Sequence, residues 1–350
     1  MRGIAPFPSP NVQGWTVKRP HSYTVSLVRL TFLFLTACAF GYQAHAQISI
    51  QAERASELPI LKPDLPWASS GLFNPTAIQR GGRTVLLFRA SDDKQTSRIG
   101  YAESRDGVHF TTRPHPVMEP ETPYEAEGGV EDPRLVRIHG VYYLTYTGYN
   151  KHDAQLCLAT SRDLIHWARK GVILPAYQGS WNTGWTKSGA ILPQKIKGKW
   201  WMYYLGTRKD PDGESRDYMG LAQSADLIHW FDASSQPVLE RRPGAFDARV
   251  MEPGPAPRLT KAGILLLYNG ADEHLVYGPA WALFDANDPK RLLARADAPF
   301  LLPTLEWERV GNVPNVIFLE GAVWRRNQWI GYYGAADKYV GAVRLRIRLY

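Results

Sequence analysis

The chain has 350 residues, 44% of them hydrophobic, which is enough to bury a large core within one domain. Its formal charge is +8, but Arg2, Lys18, Arg19 and Arg29 all lie in the first 46 residues, which hold no acidic residue, so the remainder carries only +4. That residue of charge is scattered rather than gathered into a basic stripe, which argues against a nucleic-acid partner. There are two cysteines, Cys38 and Cys157, and no second long apolar segment follows the first.

In chain order, residues 1–46 read as a secretory signal: a basic stretch, an apolar run from Leu30 to Phe40, and the small-residue site Ala44-His45-Ala46. The run is shorter than the roughly 20 apolar residues of a membrane span. The expectation is therefore an exported protein, periplasmic or secreted, with no membrane span. Leu35-Thr36-Ala37-Cys38 also has the form of a lipoprotein processing box, which would attach a lipid anchor at Cys38. With that cysteine gone or lipidated, Cys157 has no intrachain partner, and stability must come from packing.

Residues 47–69 read as an N-terminal extension, and residues 70–350 as one repetitive domain. Three segments repeat one motif: Ser104-Arg-Asp106-Gly-Val-His109, Ser161-Arg-Asp163-Leu-Ile-His166-Trp167 and Ser224-Ala-Asp226-Leu-Ile-His229-Trp230. The serines are 57 and 63 residues apart. Ser and Asp at this spacing close turns onto backbone N–H groups, while Trp167 and Trp230 are expected to pack between units. The recurring histidines are accordingly poor ligand candidates.

Five aromatic and β-branched strands recur at similar spacing: 85–88, 141–146, 200–204, 264–268 and 329–333. About ten residues before each stands a polar group beside Gly or Pro, in turn Asn74, Asp132, Lys187, Glu252 and Glu320. Short strands, Gly and Asp turns and almost no helical periodicity describe an all-β fold, a five-bladed β-propeller in a single domain. The first strand of each blade lines the axis, so these five side chains are expected to converge there.

Pro133 is expected to keep Asp132 out of a helical conformation, with one member of the Glu131-Asp132 pair facing the channel and the other the blade interior. A pair of carboxylates across such a channel can act as acid and base on a glycosidic bond, provided that burial or a second carboxylate raises the donor's pKa. The chain carries 30 Trp and Tyr residues. Those at loop tips, Tyr124, Trp181 and Trp185, are candidate platforms for sugar rings.

From Glu131-Asp-Pro-Arg134 through Tyr142-Tyr143-Leu-Thr-Tyr146-Thr the sequence resembles glycoside hydrolase family 130, the β-mannoside phosphorylases and β-1,2-mannosidases. The likeness extends through Phe73-Asn-Pro75, Phe88-Arg89-Ala, Lys187-Ser-Gly-Ala-Ile, Gly254-Pro-Ala-Pro257, Leu267-Tyr-Asn-Gly270, Asn315-Val-Ile-Phe318 and Tyr332-Tyr-Gly-Ala-Ala-Asp337. The resemblance implies an inverting, metal-free and cofactor-free enzyme for β-mannosidic oligosaccharides. It implies Asp132 as general acid, passing its proton through a sugar hydroxyl, and Asn74, Arg89, Arg134, Lys187 and Asp337 as groups that hold the sugar or the incoming nucleophile.

The sequence departs from the phosphorylase pattern at Tyr268-Asn269-Gly270, where many phosphorylases have Tyr-His-Gly, and at Glu252 and Glu320, where that pattern lacks an acid. Carboxylates at the nucleophile position repel phosphate and activate water. Hydrolysis of β-1,2-linked manno-oligosaccharides is thus the leading expectation, with Glu252 or Glu320 as base and Tyr268 and Asn269 beside the substrate. Phosphorolysis to mannose 1-phosphate is the alternative, because Arg89, Arg134 and Lys187 are retained. A non-catalytic sugar-binding propeller, or a propeller glycosidase for arabinans or fructans, completes the set.

Overall fold

The structure is a computed structural model that describes residues 48–350; the expected signal and Cys38 lie outside the described residues. The repeat folds into five four-stranded antiparallel modules. The first comprises Gly71–Arg80, Arg83–Ser91, Ser97–Ser104 and Thr111–Thr112, and the second Gly129–Ile138, Val141–Tyr149, Ala154–Ser161 and Ala168–Leu174. The third comprises Thr186–Ile196, Lys199–Lys209, Ser215–Ser224 and Phe231–Asp232. The fourth runs through Val250–Pro253, Gly263–Ala271, Tyr277–Phe284 and Leu292–Arg295, with Arg258–Thr260 also paired to its second strand.

The fifth module takes Ile317–Arg325, Gln328–Ala335 and Tyr339–Leu349 from the C-terminus and its outer strand, Ile48–Arg54, from the other end of the chain. Ile48 pairs with Leu349 and Arg54 with Val343, so the presumed extension is in part the outermost strand of the last blade. Arg54 then clamps the buried carboxylate of Glu308 through Nε, at 2.7 Å.

The buried apolar residues form five clusters, each shared by two neighbouring modules. Leu87, Ile99 and Tyr146 join the first two, Leu158 and Trp200 the second and third, and Tyr203 and Leu266 the third and fourth. Leu267 and Tyr333 join the fourth and fifth, and Leu86 and Tyr332 join the fifth back to the first. Five interfaces for five modules close a ring, the five-bladed propeller that the repeat spacing implies. Large aromatic side chains fill the wedge between twisted sheets, and each buried ring removes substantial apolar area from water.

The Ser-x-Asp motifs close turns as expected. Ser104 Oγ accepts from Gly107 N–H at 2.8 Å, Asp106 accepts from Val108 and His109 N–H, and the other two copies repeat the pattern. Trp230 is buried between blades and Trp167 packs against the same kind of interface. The three histidines are exposed and each pairs with the aspartate of its own turn, which makes the motif a turn device rather than a site.

Candidate active site

The innermost strands are interrupted at one level. Register shifts fall between Phe73 and Pro75, Glu131 and Arg134, Lys187 and Ala190, and Leu319 and Gly321. The bulged residues are therefore Asn74, Asp132, Ser188 and Glu320, and the fourth blade has no shift, with Glu252 paired to Asn269. Asn74, Asp132 and Ser188 have φ of 49°, 49° and 59°, in the left-handed region. Such backbone is costly outside glycine and collects where a site re-aims its side chains. Glycine after the fifth bulge permits the close approach of strands at the axis, since a Cβ on Gly321 would stand 2.7 Å from Pro75 O.

The bulges overturn the expected alternation. Glu131 and Asp132 do not face opposite ways: Arg89 donates to Glu131 Oε1 through Nη2 at 2.6 Å and to Asp132 Oδ1 through Nη1 at 3.2 Å. Asp132 is left-handed despite Pro133, and this turn brings both carboxylates to one guanidinium. Asn74 Nδ2 donates to Asp132 Oδ1 at 2.8 Å, and Ser97 Oγ to Glu131 Oε1 at 3.0 Å.

Arg134 is buried at the centre. It donates through Nε and Nη2 to Pro253 O (3.1 and 2.7 Å) and through Nη1 to Asp132 O (3.1 Å). Its Nη2 also stands 2.9 Å from Glu320 Oε1 and 3.5 Å from Glu252 Oε1. Ser188 Oγ donates to Glu252 Oε1. Lys187, with its ammonium beside Glu252, Asp217 and Asp132, has a raised pKa; burial works against its charge and those carboxylates outweigh it.

Around the axis, then, the carboxyl groups Glu131, Asp132, Glu252, Glu320 and Asp337 face the cations Arg89, Arg134 and Lys187. Burial opposes the charge of Asp132, but Arg89, then Lys187 and Arg134, hold its pKa below the usual carboxylate range. The raised pKa that a proton donor requires is therefore not met at Asp132, where the surrounding cations favour the charged form. Burial pushes Glu131 up, as it does Glu320, which rises well above the usual range against the pull of Arg134. Asp337 is pushed up to about 6, by burial first, with Asp132 and Glu252 adding to it and Arg89 and Lys187 opposing.

A carboxyl whose folded pKa is raised binds protons more tightly than in the unfolded chain, so it costs stability as pH climbs from about 4 through about 6. Asp337→Asn is accordingly expected to raise Tm at pH 7–8, an advantage that fades below pH 4. A variant with the same Tm difference at every pH would show that Asp337 does not titrate in this way.

Two expected substrate residues are placed elsewhere. Tyr268 is fully buried and donates to Asp247 Oδ2 at 2.9 Å. Asn269 is fully buried between blades, with Nδ2 donating to Leu319 O (3.0 Å) and Oδ1 accepting from Leu319 N–H (2.7 Å). Trp181 is likewise core, packed on Tyr204 and Tyr218. Tyr124 is half-buried against Gly148, whereas Trp185 stays half-buried at a loop and donates to Tyr177 Oη at 3.1 Å.

Three site residues lacked a sequence signal strong enough to single them out. Ser188 sits in the Lys187-Ser-Gly run as a bulge residue that holds Glu252. Tyr277 lies close enough to Glu252 to have its pKa raised by burial and by that charge. Phe318 faces both, 6.0 Å from the Arg134 guanidinium and 6.2 Å from the Tyr277 ring. No group of three or more metal-ligating side chains occurs among the described residues.

The family model described as β-1,4-mannooligosaccharide phosphorylase matches residues 54–348. A 1,2-β-oligomannan phosphorylase of Thermoanaerobacter sp. (strain X514) is 37% identical over 85% of this chain and 98% of its own length. The β-1,2-mannobiose phosphorylase of Listeria innocua, solved with β-1,2-mannobiose, superposes with a TM-score of 0.74 at 25% identity, over 84% of this chain and 96% of that one. A further structure superposes with a TM-score of 0.75 at 34% identity, over 84% and 93%. It comes from a study in which this family of mannoside phosphorylases contains glycoside hydrolases that target β-1,2 mannosidic linkages in Candida mannan.

The curated relatives are all named phosphorylases, which favours the phosphorolytic alternative over the hydrolysis expected from the sequence. The likeness in sequence runs from the outermost strand to the last, and the bulged axis carries the motif aspartate and its partners. The chain therefore belongs to glycoside hydrolase family 130.

Proposed function

We propose that the chain cleaves β-1,2-linked manno-oligosaccharides with inversion, Asp132 serving as the acid and water as the nucleophile, activated by Glu252. The linkage rests on the relatives of 31–37% identity, which are named for β-1,2-mannosides, and on the retained Asp132 motif. The acceptor rests on one observation: each axial cation already faces carboxylates. Arg89 is engaged by Glu131 and Asp132, Arg134 by Glu320 and Glu252, and Lys187 by Glu252 and Asp217. Phosphate would enter as a further anion beside carboxyl groups that already engage every axial cation, whereas water meets no such barrier.

The cations around Asp132 favour its charged form, so a sugar must bring it to the protonated form. A sugar ring over Asp132 strips its remaining water, which disfavours the charged state, and the acid then donates through a sugar hydroxyl toward the leaving oxygen. Glu252, fixed by Ser188 Oγ, takes the proton of the attacking water.

The deciding assay is cleavage of β-1,2-mannobiose with and without inorganic phosphate. Release of free mannose without phosphate is the expected result, and strictly phosphate-dependent formation of mannose 1-phosphate would overturn it. Glu252→Gln is expected to lower hydrolytic kcat by about 10²–10⁴, the range for loss of a general base, with KM little changed. Undiminished hydrolysis in that variant would remove Glu252 from the mechanism.

Phosphorolysis is the second reading. The names of the curated relatives favour it, and Arg89, Arg134 and Lys187 are the cations it would use. Under that reading a bound phosphate displaces part of the carboxylate network, and Glu252→Gln speeds rather than slows turnover at low phosphate.

A further inference from the structure

The turns that join the first and second strands of the blades all lie on one face of the ring, the face away from the site. Asn74, Asp132, Lys187, Glu252 and Glu320 precede them by six to ten residues, which at about 3.3 Å per residue is about 20–30 Å. Taken with one residue on either side, these turns are 80–83, 138–141, 196–199, 260–263 and 325–328, and they hold seven Lys and Arg and no Asp or Glu. The hairpins at the site end are 91–97, 149–154, 209–215, 271–277 and 335–339, and they hold nine Asp and Glu against four Lys. Charge that is scattered along the chain is thus sorted by the closed ring into a basic face and an acidic one.

The basic face is open to a partner. Among the described residues only one of its seven cations pairs with a carboxylate, Arg83 with Glu103 at 2.7 Å. Lys197, Lys261 and Arg326 are exposed and enter no hydrogen bond or ion pair, and Arg137, Lys195 and Arg258 are exposed one or two residues ahead of the turns. The remaining turns on this face, 104–109, 161–166, 224–229 and 285–291, lie farther from the axis and hold five Asp against four Lys and Arg, so they offset little of the excess. Two large apolar side chains stand among the cations, Leu259 at 39% exposure and Trp324 at 53%. Trp324 packs edge-on against Trp329 at 5.4 Å, and the Arg258 guanidinium lies 4.2 Å from the centre of the Trp329 ring.

We propose that this face docks on an anionic lipid bilayer and turns the mouth of the active site to the solution. Cations spread over turns around the axis present a broad plane of positive charge, which fits a bilayer surface, whereas a nucleic acid asks for a stripe along one groove or element. Leu259 and Trp324 supply apolar tips of the kind that settle into the headgroup layer. The carboxylates of the opposite face are repelled by the same surface, and this fixes the orientation. Docking of this kind is independent of whether water or phosphate is the acceptor.

Flotation of the full chain with vesicles tests the proposal, using phosphatidylcholine mixed with phosphatidylglycerol and, beside it, pure phosphatidylcholine. Stronger binding to the mixed vesicles, weakening as salt is raised, is the expected result. Equal partition into the two kinds would overturn the proposal, as would tighter binding to duplex DNA than to the mixed vesicles.

Residues 1–46 are common to every variant, so differences between variants report the face alone. The triple variant Lys197→Gln, Lys261→Gln, Arg326→Gln is expected to weaken binding to mixed vesicles by about tenfold to a hundredfold, at roughly fivefold per basic residue, with Tm unchanged. Lys94→Gln, Lys209→Gln, Lys338→Gln removes the same charge from the acidic face and is expected to weaken binding by less than about threefold, because those lysines stand beyond the reach of the screened surface potential. Equal losses in the two variants would overturn the docking face, since binding would then follow net charge alone. Lys261→Gln by itself, with a loss of about fivefold, serves where the triple variant does not fold.

Discussion

Asp132→Asn is expected to lower kcat by about 10²–10⁴ on β-1,2-mannobiose while leaving the sugar bound. The substitution keeps the size of the side chain and can still accept from Asn74 and Arg89, which now reach Oδ1 at 2.8 and 3.2 Å. What is lost is the carboxyl's charge together with its exchangeable proton. Isothermal titration with the disaccharide, set beside steady-state rates, separates the outcomes. Retained affinity without turnover supports the acid; full turnover would sink it; and an unaltered protein that binds but never cleaves would be a lectin.

The same substitution has a pH signature. The folded pKa of Asp132 is lowered, so its charge contributes stability that is fully present above the unfolded value near 3.9 and is lost as pH falls through the folded one. Asp132→Asn should therefore lower Tm at neutral pH, and the difference should shrink in strong acid. This is opposite in sign to the effect expected for Asp337→Asn.

Arg134→Met is expected to be the most destabilising single change at the axis, by about 3–5 kcal/mol, the range seen when one partner of a buried ion pair is removed. Arg134 satisfies two backbone carbonyls, Pro253 O and Asp132 O, and stands against Glu320 and Glu252. Methionine fills comparable volume but leaves buried negative groups without a counter-charge. Urea unfolding measures the loss. Adding Glu320→Gln to this variant should change little, since burial already favours the neutral form of that carboxyl and does so more strongly once Arg134 is gone. A loss below about 1 kcal/mol would mean that Arg134 is not the hub of the network. Arg134→Lys is expected to rescue little, because one ammonium cannot reproduce the fork that binds Pro253 O and Asp132 O together.

Much of the architecture was legible in the residues. Ser104, Ser161 and Ser224 with their aspartates mark equivalent turns, and five aromatic strands at one spacing require five blades, because a period that repeats in sequence must repeat in space. The turn function of the histidine motif followed from local hydrogen bonding alone. Convergence of Asn74, Asp132, Lys187, Glu252 and Glu320 followed from their common place ahead of each blade's second strand.

Side-chain direction was not legible. Strand alternation predicts opposite faces for Glu131 and Asp132, and a one-residue bulge with left-handed φ cancels it. The fate of Tyr268 and Asn269 was hidden for a related reason: their partners, Asp247 and Leu319, come from a preceding loop and from the next blade. Tyr277 and Ser188 gain their roles only from what the ring closure sets beside them.

Sequence by itself thus determined the repeat, the blade number and the identity of the chemical groups that meet at the axis, since each is a matter of period and composition. The tertiary structure alone decided their charge states and pairings. Burial and the crowding of Glu131, Asp132, Glu252, Glu320 and Asp337 around Arg89, Arg134 and Lys187 act over distances in space, and those distances exist only once the ring is closed.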